Sequence, residues 1–427
     1  MATSSASQAV TTQREPDRST GAFAWYRTLG APGRRAFKGA YLGYALDSYD
    51  FWVLPLGLTA IAASFGLSKP QTGMLATATL VFSALGGIAA GVLADRIGRA
   101  RTLMVTVIAY AVCTALCGLA PNYPTLLVFR ALQGLGFGGE WAAGAILVAE
   151  YAAARHRGRA VAMVQGAWAV GWGAAVLIYT AVFDLVDEKL AWRLLFITGA
   201  LPAVLAIYVR RSVTDAPAYT AQRHTEGRGS LSAIFGRDLR KKTVFAVLMS
   251  TGVQGGYYTL ATWVPTYLKT DRHLSVVGTG AYLTFLITGA FAGYLTGGHL
   301  TDRLGRKLTI RLFAVLSGLL IVGYTQLPAS ANDYILVLGF PLGFCSSAIF
   351  SGFGSFLSEL YPGRLRGTGQ GFTYNVGRGV GAFFPTVIGF IATRYGVGGA
   401  MAFGALAYVL AFAALFGLPE TRAQELS

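Results

Sequence analysis

The chain has 427 residues, of which 54% are hydrophobic and only 13% charged, against roughly 25% charged in a soluble domain. One soluble core stops growing near about 250–300 residues, so this much apolar surface must face lipid. The net charge of +16 does not point to nucleic acid, because the basic residues sit in short clusters between apolar runs and not on one face or arm.

Residues 1–36 are polar, contain no apolar h-region and read as a cytoplasmic tail, with insertion left to the first helix. Apolar runs follow near 37–63, 72–94, 102–120, 124–150, 157–184 and 190–210. The stretch 211–240, which contains Asp215, Ala216 and Pro217, reads as a cytoplasmic linker with a short amphipathic surface helix around Leu231–Phe235. Runs resume near 241–268, 276–301, 308–327, 332–360, 366–393 and 398–418, and 419–427 form a second tail. The expected fold is therefore an all-α membrane protein of twelve transmembrane helices in two pseudo-symmetric six-helix halves, 37–210 and 241–418. With both termini inside, Lys69, Lys189, Arg193, Lys269, Arg272 and Arg394 face out and most other basic residues face the cytoplasm; inversion would reverse that ratio. The expected location is the cell membrane.

The halves repeat. Gly91-Val-Leu-Ala-Asp95-Arg96-Ile-Gly98-Arg99 recurs about 207 residues later as Gly298-His-Leu-Thr-Asp302-Arg303-Leu-Gly305-Arg306. Glu150-Tyr151 followed by Arg157-Gly158 recurs at nearly the same offset as Glu359-Leu360-Tyr361 followed by Arg366-Gly367. Two independent motifs sharing one offset indicate internal duplication.

Five ionisable residues fall deep inside spans: Asp47, Asp50, Arg130, Glu140 and Arg378. Each costs roughly 2.5–3.5 kcal/mol to insert, so each needs a reason, either function or a structural salt bridge. Asp47 and Asp50, three apart, project from neighbouring positions of the first helix. Two carboxylates close together in low dielectric cannot both ionise cheaply, so the pair is suited to carrying a proton, with Asp47 slightly favoured. By the repeat offset these positions fall near Tyr257 and Leu260, so the second half lacks this chemistry. Arg130 stays charged and needs a partner, which Asp47, Asp50, Glu140 or a substrate could supply. Arg378 lies three residues from Asn375 with Gly377 and Gly379 around it and no acidic residue nearby in sequence. Its planar fork suits a substrate carboxylate; the alternative is a pairing with gate carboxylates. Gln254 and Tyr257 on the seventh span, and Gln165 and Trp168 on the fifth, offer further polar and aromatic surface to a substrate, although tryptophans such as Trp168 and Trp172 are also common at lipid interfaces.

Gly134-Leu-Gly136-Phe-Gly138-Gly139 mimics a dinucleotide fingerprint, but it lies within one apolar span, where small residues serve helix packing. Cys113, Cys117 and Cys345 read as small packing hydrophobes, and the four histidines are scattered. No metal cluster, nucleotide loop or nucleophile motif is present, so no enzyme activity is expected.

The paired G-x-L-x-D-R-x-G-R loops resemble those of the major facilitator superfamily, and the resemblance covers the whole chain. Ala45-Leu-Asp47-Ser-Tyr-Asp50-Phe, Arg130-Ala-Leu-Gln133-Gly-Leu-Gly-Phe-Gly-Gly-Glu140-Trp141 and Trp192-Arg193 resemble the sialate and lactate proton symporters, and the D-x-x-D feature is shared with aromatic-acid proton symporters. Against the lactate-type pattern N-x-x-S/T-H-x-S-Q-D-x-x-x-T, Ser250, Gln254 and Thr259 match, while Val247, Thr251, Val253 and Gly255 depart. The missing His and Asp argue against lactate and move coupling to the first helix. The resemblance implies a proton-coupling role for Arg130, with Glu140 either sharing it or forming a bridge. It also implies a cytoplasmic gate made by Asp95, Arg99, Glu150 and Arg157 and their echoes Asp302, Arg306, Glu359 and Arg366.

The expected function is proton-coupled import of a small organic carboxylate (sialate, lactate or another monocarboxylate, or an aromatic acid) by alternating access. The chain is expected to work as a monomer in the bilayer, with H+ as coupling ion and no cofactor. One rival is a proton-antiporting exporter, disfavoured because the fifth span lacks the Gly-Pro pair of such proteins. The other is a non-transporting sensor on the same scaffold, disfavoured by the short tail after Pro419.

Overall fold

The structure, a computed structural model, describes residues 26, 29–97, 99–138, 157–201, 203, 231–362 and 365–421. Among the described residues the fold is helical with no strand. The first half comprises α1 (Ala31–Phe65), α2 (Lys69–Ile97), α3 (Arg99–Gly118), α4 (Tyr123–Phe137), α5 (Arg157–Leu185) and α6 (Glu188–Ile197). The second comprises α7 (Arg240–Thr270), α8 (Val276–Leu304), α9 (Arg306–Gln326), α10 (Asn332–Glu359), α11 (Arg366–Gly381), α12 (Phe384–Ala402) and α13 (Ala405–Ala414). α11 and the start of α12 make the eleventh span. Gly396, at φ 73° and ψ 173°, turns the chain into the twelfth, a geometry that favours glycine.

The helix ends carry local signals. Asn122, Asp187 and Ser275 cap α4, α6 and α8, their side chains accepting from the N–H groups of Thr125, Lys189 and Gly278. Gly66 ends α1 in the left-handed region, its N–H donating to the Ala62 carbonyl. The expected surface helix is a 3-10 turn, Leu231–Phe235, with Ile234 buried and its carbonyl accepting from Thr243 Oγ1 at 2.8 Å.

Close backbone contacts between helices repeat in the two halves. A Cβ on Gly171 of α5 would lie 1.8 Å from the Ala45 carbonyl oxygen of α1; one on Gly377 of α11 would lie 2.3 Å from Ser250 Cβ of α7. A Cβ on Gly134 of α4 would lie 2.2 Å from the Thr79 carbonyl oxygen of α2, and one on Gly343 of α10 would lie 1.9 Å from the Leu286 carbonyl oxygen of α8. The duplication seen in the loops therefore extends to the helix contacts, and the glycine run beginning at Gly134 serves packing.

By length and composition, six helical stretches among the described residues qualify as spans: Lys69–Ala90, Ala162–Leu185, Val276–Leu304, Arg306–Gln326, Asn332–Glu359 and Arg366–Ala402. α1 and α7 are longer than most but carry buried polar residues, Asp47, Ser48 and Asp50 on one and Ser250, Thr251, Gln254, Thr259 and Thr262 on the other. The outer surface is apolar, with Leu119, Leu177, Leu319, Val337 and Phe416 exposed, as lipid contact requires.

The halves meet along α1–α7, α2–α11, α2–α12 and α5–α8. At the end of the bundle away from the termini, Lys69 Nζ donates to the Ala392 carbonyl at 2.8 Å, Thr77 Oγ1 to the Ala382 carbonyl at 2.7 Å, and Lys269 pairs with Glu188 at 2.7 Å.

Candidate functional site

A cavity of about 510 Å³, open mouth included, lies between the halves. The first half lines it with Tyr44, Asp47 and Phe51 from α1, Phe137 from α4 and Trp168 from α5. The second contributes Tyr257 and Tyr258 from α7, Tyr294 from α8, Phe350 from α10, and Tyr374 and Arg378 from α11. The lining follows the duplication in part, since Trp168 on α5 and Tyr374 on α11 occupy corresponding positions, each three residues before the packing glycines Gly171 and Gly377.

Two of the lining residues carry charge, Asp47 from one half and Arg378 from the other. Arg378 is 6% exposed. Its Nη2 donates to Tyr374 Oη at 3.1 Å, and the guanidinium lies 4.9 Å from the Tyr374 ring centroid and 5.9 Å from that of Phe137. Among the described residues no carboxylate lies within 4 Å of it, and its Nε has no hydrogen-bond partner. A buried guanidinium in this state can receive an anion. The aromatic walls are locked together: Trp168 Nε1 donates to Tyr257 Oη at 2.7 Å, and Phe51 stands 5.4 Å from Trp168 and 6.4 Å from Tyr258.

Gln254 stands behind the wall, donating to the Tyr374 carbonyl at 3.0 Å and accepting from Tyr258 Oη at 3.1 Å. Asn375 points to the α2–α11 seam, where its Nδ2 donates to the Gly371 carbonyl at 2.9 Å and a Cβ on Gly87 would meet its Oδ1 at 2.6 Å. Gln165 is buried but absent from the lining. Of these three, expected at the substrate, Gln254 and Asn375 stand behind or beside the lining residues and Gln165 is buried outside the lining. Trp172, which could have faced lipid, is buried and stacked on Trp52 at 3.7 Å.

The expected carboxylate pair divides. Asp47 faces the cavity, whereas Asp50 turns toward α3 and α4 and accepts from Gln133 Nε2 at 2.5 Å. Three residues along a helix is about 300° of rotation, so the two side chains sit roughly 60° apart, enough to address different neighbours. Arg130 is 2% exposed, hydrogen-bonds Gln133 Oε1 and lies 5.9 Å from the Phe196 ring centroid. Gln133 had appeared in the sequence only as part of a motif. Its spacing of three from Arg130 was the available signal.

In the second repeat loop, Arg306 donates to Asp302 at 2.5 Å and to both oxygens of Glu359, from Nε at 3.3 Å and Nη2 at 3.2 Å. Thr421 Oγ1 donates to Glu359 at 2.5 Å, and Glu420 accepts from the Arg306 and Lys307 amides at 3.0 and 3.1 Å. Arg366 is half-buried, and among the described residues its Nε has no hydrogen-bond partner. Glu140 and Glu150, and the side chains of Asp95, Arg99 and Arg157, lie outside the described residues.

A sequence model of the Major Facilitator Superfamily matches residues 40–385 and 282–427. The chain is 38% identical over 402 residues to a probable 4-methylmuconolactone transporter of Cupriavidus pinatubonensis, covering 94% of each. It is 30% identical to a cis,cis-muconate transport protein of Acinetobacter baylyi, covering 85% of this chain and 88% of that one. Its fold is similar to that of the xylose transporter XylE from E. coli in a partially occluded inward-open conformation. The TM-score is 0.74 at 20% identity, covering 93% of this chain and 100% of that one.

Proposed function

The chain belongs to the major facilitator superfamily, and on that premise we propose that it is a proton-coupled symporter that imports a small organic carboxylate. The observation that carries this reading is Arg378, buried in the cavity with an unsatisfied Nε and, among the described residues, no carboxylate within 4 Å. A carboxylate is the planar anion its fork matches. Nine of the eleven lining residues are aromatic, which favours a flat, unsaturated acid over a polyhydroxylated one such as sialate. A polyol would need a polar partner for each buried hydroxyl, and of the five tyrosine hydroxyls in this wall three are already engaged, Tyr257 by Trp168, Tyr258 by Gln254 and Tyr374 by Arg378. The relatives named for muconate and methylmuconolactone transport agree with that preference.

The proton gives the cycle its driving force. Bringing a monoanion into a negative interior costs roughly 2.3 kcal/mol per 100 mV, and one co-transported proton cancels it, whereas a dicarboxylate such as muconate needs a second proton. Asp47 shares the cavity with Arg378, so a carboxylate on the arginine and a proton on Asp47 would leave the occupied cavity close to neutral. That neutral state is the one we assign to crossing between the two faces. Asp302, Arg306, Glu359 and Arg366 are assigned to the cytoplasmic gate, with both termini inside.

The test is uptake of a panel of labelled acids (cis,cis-muconate, benzoate, nicotinate, sialate, lactate) by proteoliposomes under an inward proton gradient. The unsaturated acids should accumulate and lose accumulation on addition of a protonophore. Accumulation driven by sodium and indifferent to the protonophore would refute the coupling; preference for lactate or sialate would refute the substrate shape.

A further inference from the structure

Asp50 and Arg130 are both buried outside the cavity, and one side chain touches both. Gln133 Oε1 accepts from Arg130 Nη1, while its Nε2 donates to Asp50 Oδ2 at 2.5 Å and to Thr114 Oγ1 at 2.7 Å. The amide orientation is forced. Arg130 can only donate, so the oxygen must face it. Thr114 spends its own proton on the Tyr110 carbonyl at 2.9 Å and can only accept from Gln133. Gly199, in the turn after α6, seals the cluster: a Cβ there would lie 2.2 Å from Thr114 Cγ2 and 2.9 Å from Asp50 Oδ1.

We infer that Gln133 is a positioning residue that sets when Asp50 takes and releases a proton, by standing between that carboxylate and Arg130. This rests on the proton-symport reading above, in which Asp47 holds the co-transported proton at the cavity and Asp50, one turn away, exchanges that same proton with it, and adds a residue that touches neither substrate nor cavity. A direct arginine–carboxylate contact in a buried site would hold the carboxylate ionised throughout the cycle. Coulomb attraction falls with separation, so an interposed amide loosens that hold while its N–H still steadies the ionised form. Asp50 can then change protonation as the helices move. Among the described residues the titratable and charged groups around Asp50 are Arg130 on α4, Cys113 and Cys117 on α3, Tyr49 on α1, and Asp47 one turn away at the cavity; the segment after α6 brings Thr198 and Gly199. Of these Arg130 alone is a fixed cation, and Gln133 is the link to it.

The test uses the full chain reconstituted in lipid and needs no substrate. The infrared band of the protonated carboxyl group is followed against pH, and the component lost in Asp50→Asn is assigned to Asp50. Gln133→Met keeps the volume but removes the amide, so the carboxylate loses a donor while the side chain still blocks Arg130. The midpoint of the Asp50 band should move up by about one pH unit. Gln133→Leu should give the same direction and serves if the methionine variant does not fold. An unchanged midpoint in a folded variant, a downward shift, or no band lost in Asp50→Asn would overturn the inference. Wild-type muconate and benzoate uptake with and without protonophore, in the same vesicles, tests the symport reading separately. Gradient-driven uptake with an unmoved Asp50 band sinks only the role of Gln133.

Discussion

Replacing Arg378 tests the substrate class most directly. Arg378→Ala removes a guanidinium that is 6% exposed and whose neighbours are the Tyr374 hydroxyl and two aromatic rings, with no protein carboxylate within 4 Å among the described residues. The group that loses most is therefore the bound anion. Truncating one partner of a buried charge pair typically costs about 2–5 kcal/mol. A middle value of about 3 kcal/mol corresponds to roughly a hundred-fold weaker binding of the acid. Arg378→Lys keeps the charge but loses the fork. At about 1.5 kcal/mol for one charge-assisted hydrogen bond, it should weaken binding about ten-fold. The assay is the affinity of wild type and both variants for the transported acid and its primary amide, with melting temperature as the folding check. The wild type should strongly prefer the acid, and the alanine variant should barely distinguish the two. An alanine variant that melts normally and keeps the full wild-type preference would show that Arg378 does not hold the carboxylate.

Asp47→Asn should abolish gradient-driven accumulation while leaving exchange of labelled for unlabelled substrate intact, because exchange needs no net proton movement; accumulation at the wild-type level would move the proton elsewhere. Arg306→Ala removes the bonds to Asp302 and to both oxygens of Glu359, and should destabilise the protein by about 2 kcal/mol, seen as a lower melting temperature with acid affinity unchanged. An unaltered melting temperature would refute the contribution of that cluster. Gly171→Ala drives a methyl to within 1.8 Å of the Ala45 carbonyl and should cost about 1–3 kcal/mol, whereas Gly323→Ala, with nothing within 4 Å of the added carbon, should be neutral or slightly stabilising. Equal melting temperatures for the two would refute the proposed α1–α5 packing.

What the sequence determined by itself was the frame. Apolar runs of membrane length, broken by basic loops, located the described helices, because a backbone in lipid must satisfy its own hydrogen bonds. The shared offset of the two motifs announced the duplication, which the glycine contacts of Gly171 and Gly377 repeat in three dimensions. Asp47 and Arg378 were legible as candidates because a charge inside a span demands a reason. Only tertiary structure decided which way each side chain faces. In a bundle that is apolar on its lipid side and largely apolar inside, hydropathy does not mark the inner face of a helix. Asp47 and Asp50 therefore looked like one site in sequence, yet about 60° of helix rotation sends one to the cavity and the other to Gln133. Gln254 and Asn375 looked like substrate ligands for the same reason, and the aromatic wall of Tyr44, Phe51, Phe137, Tyr294, Phe350 and Tyr374 went unseen. An aromatic ring facing lipid and one facing a cavity leave the same mark in sequence, and the rotation of the packed helices separates them.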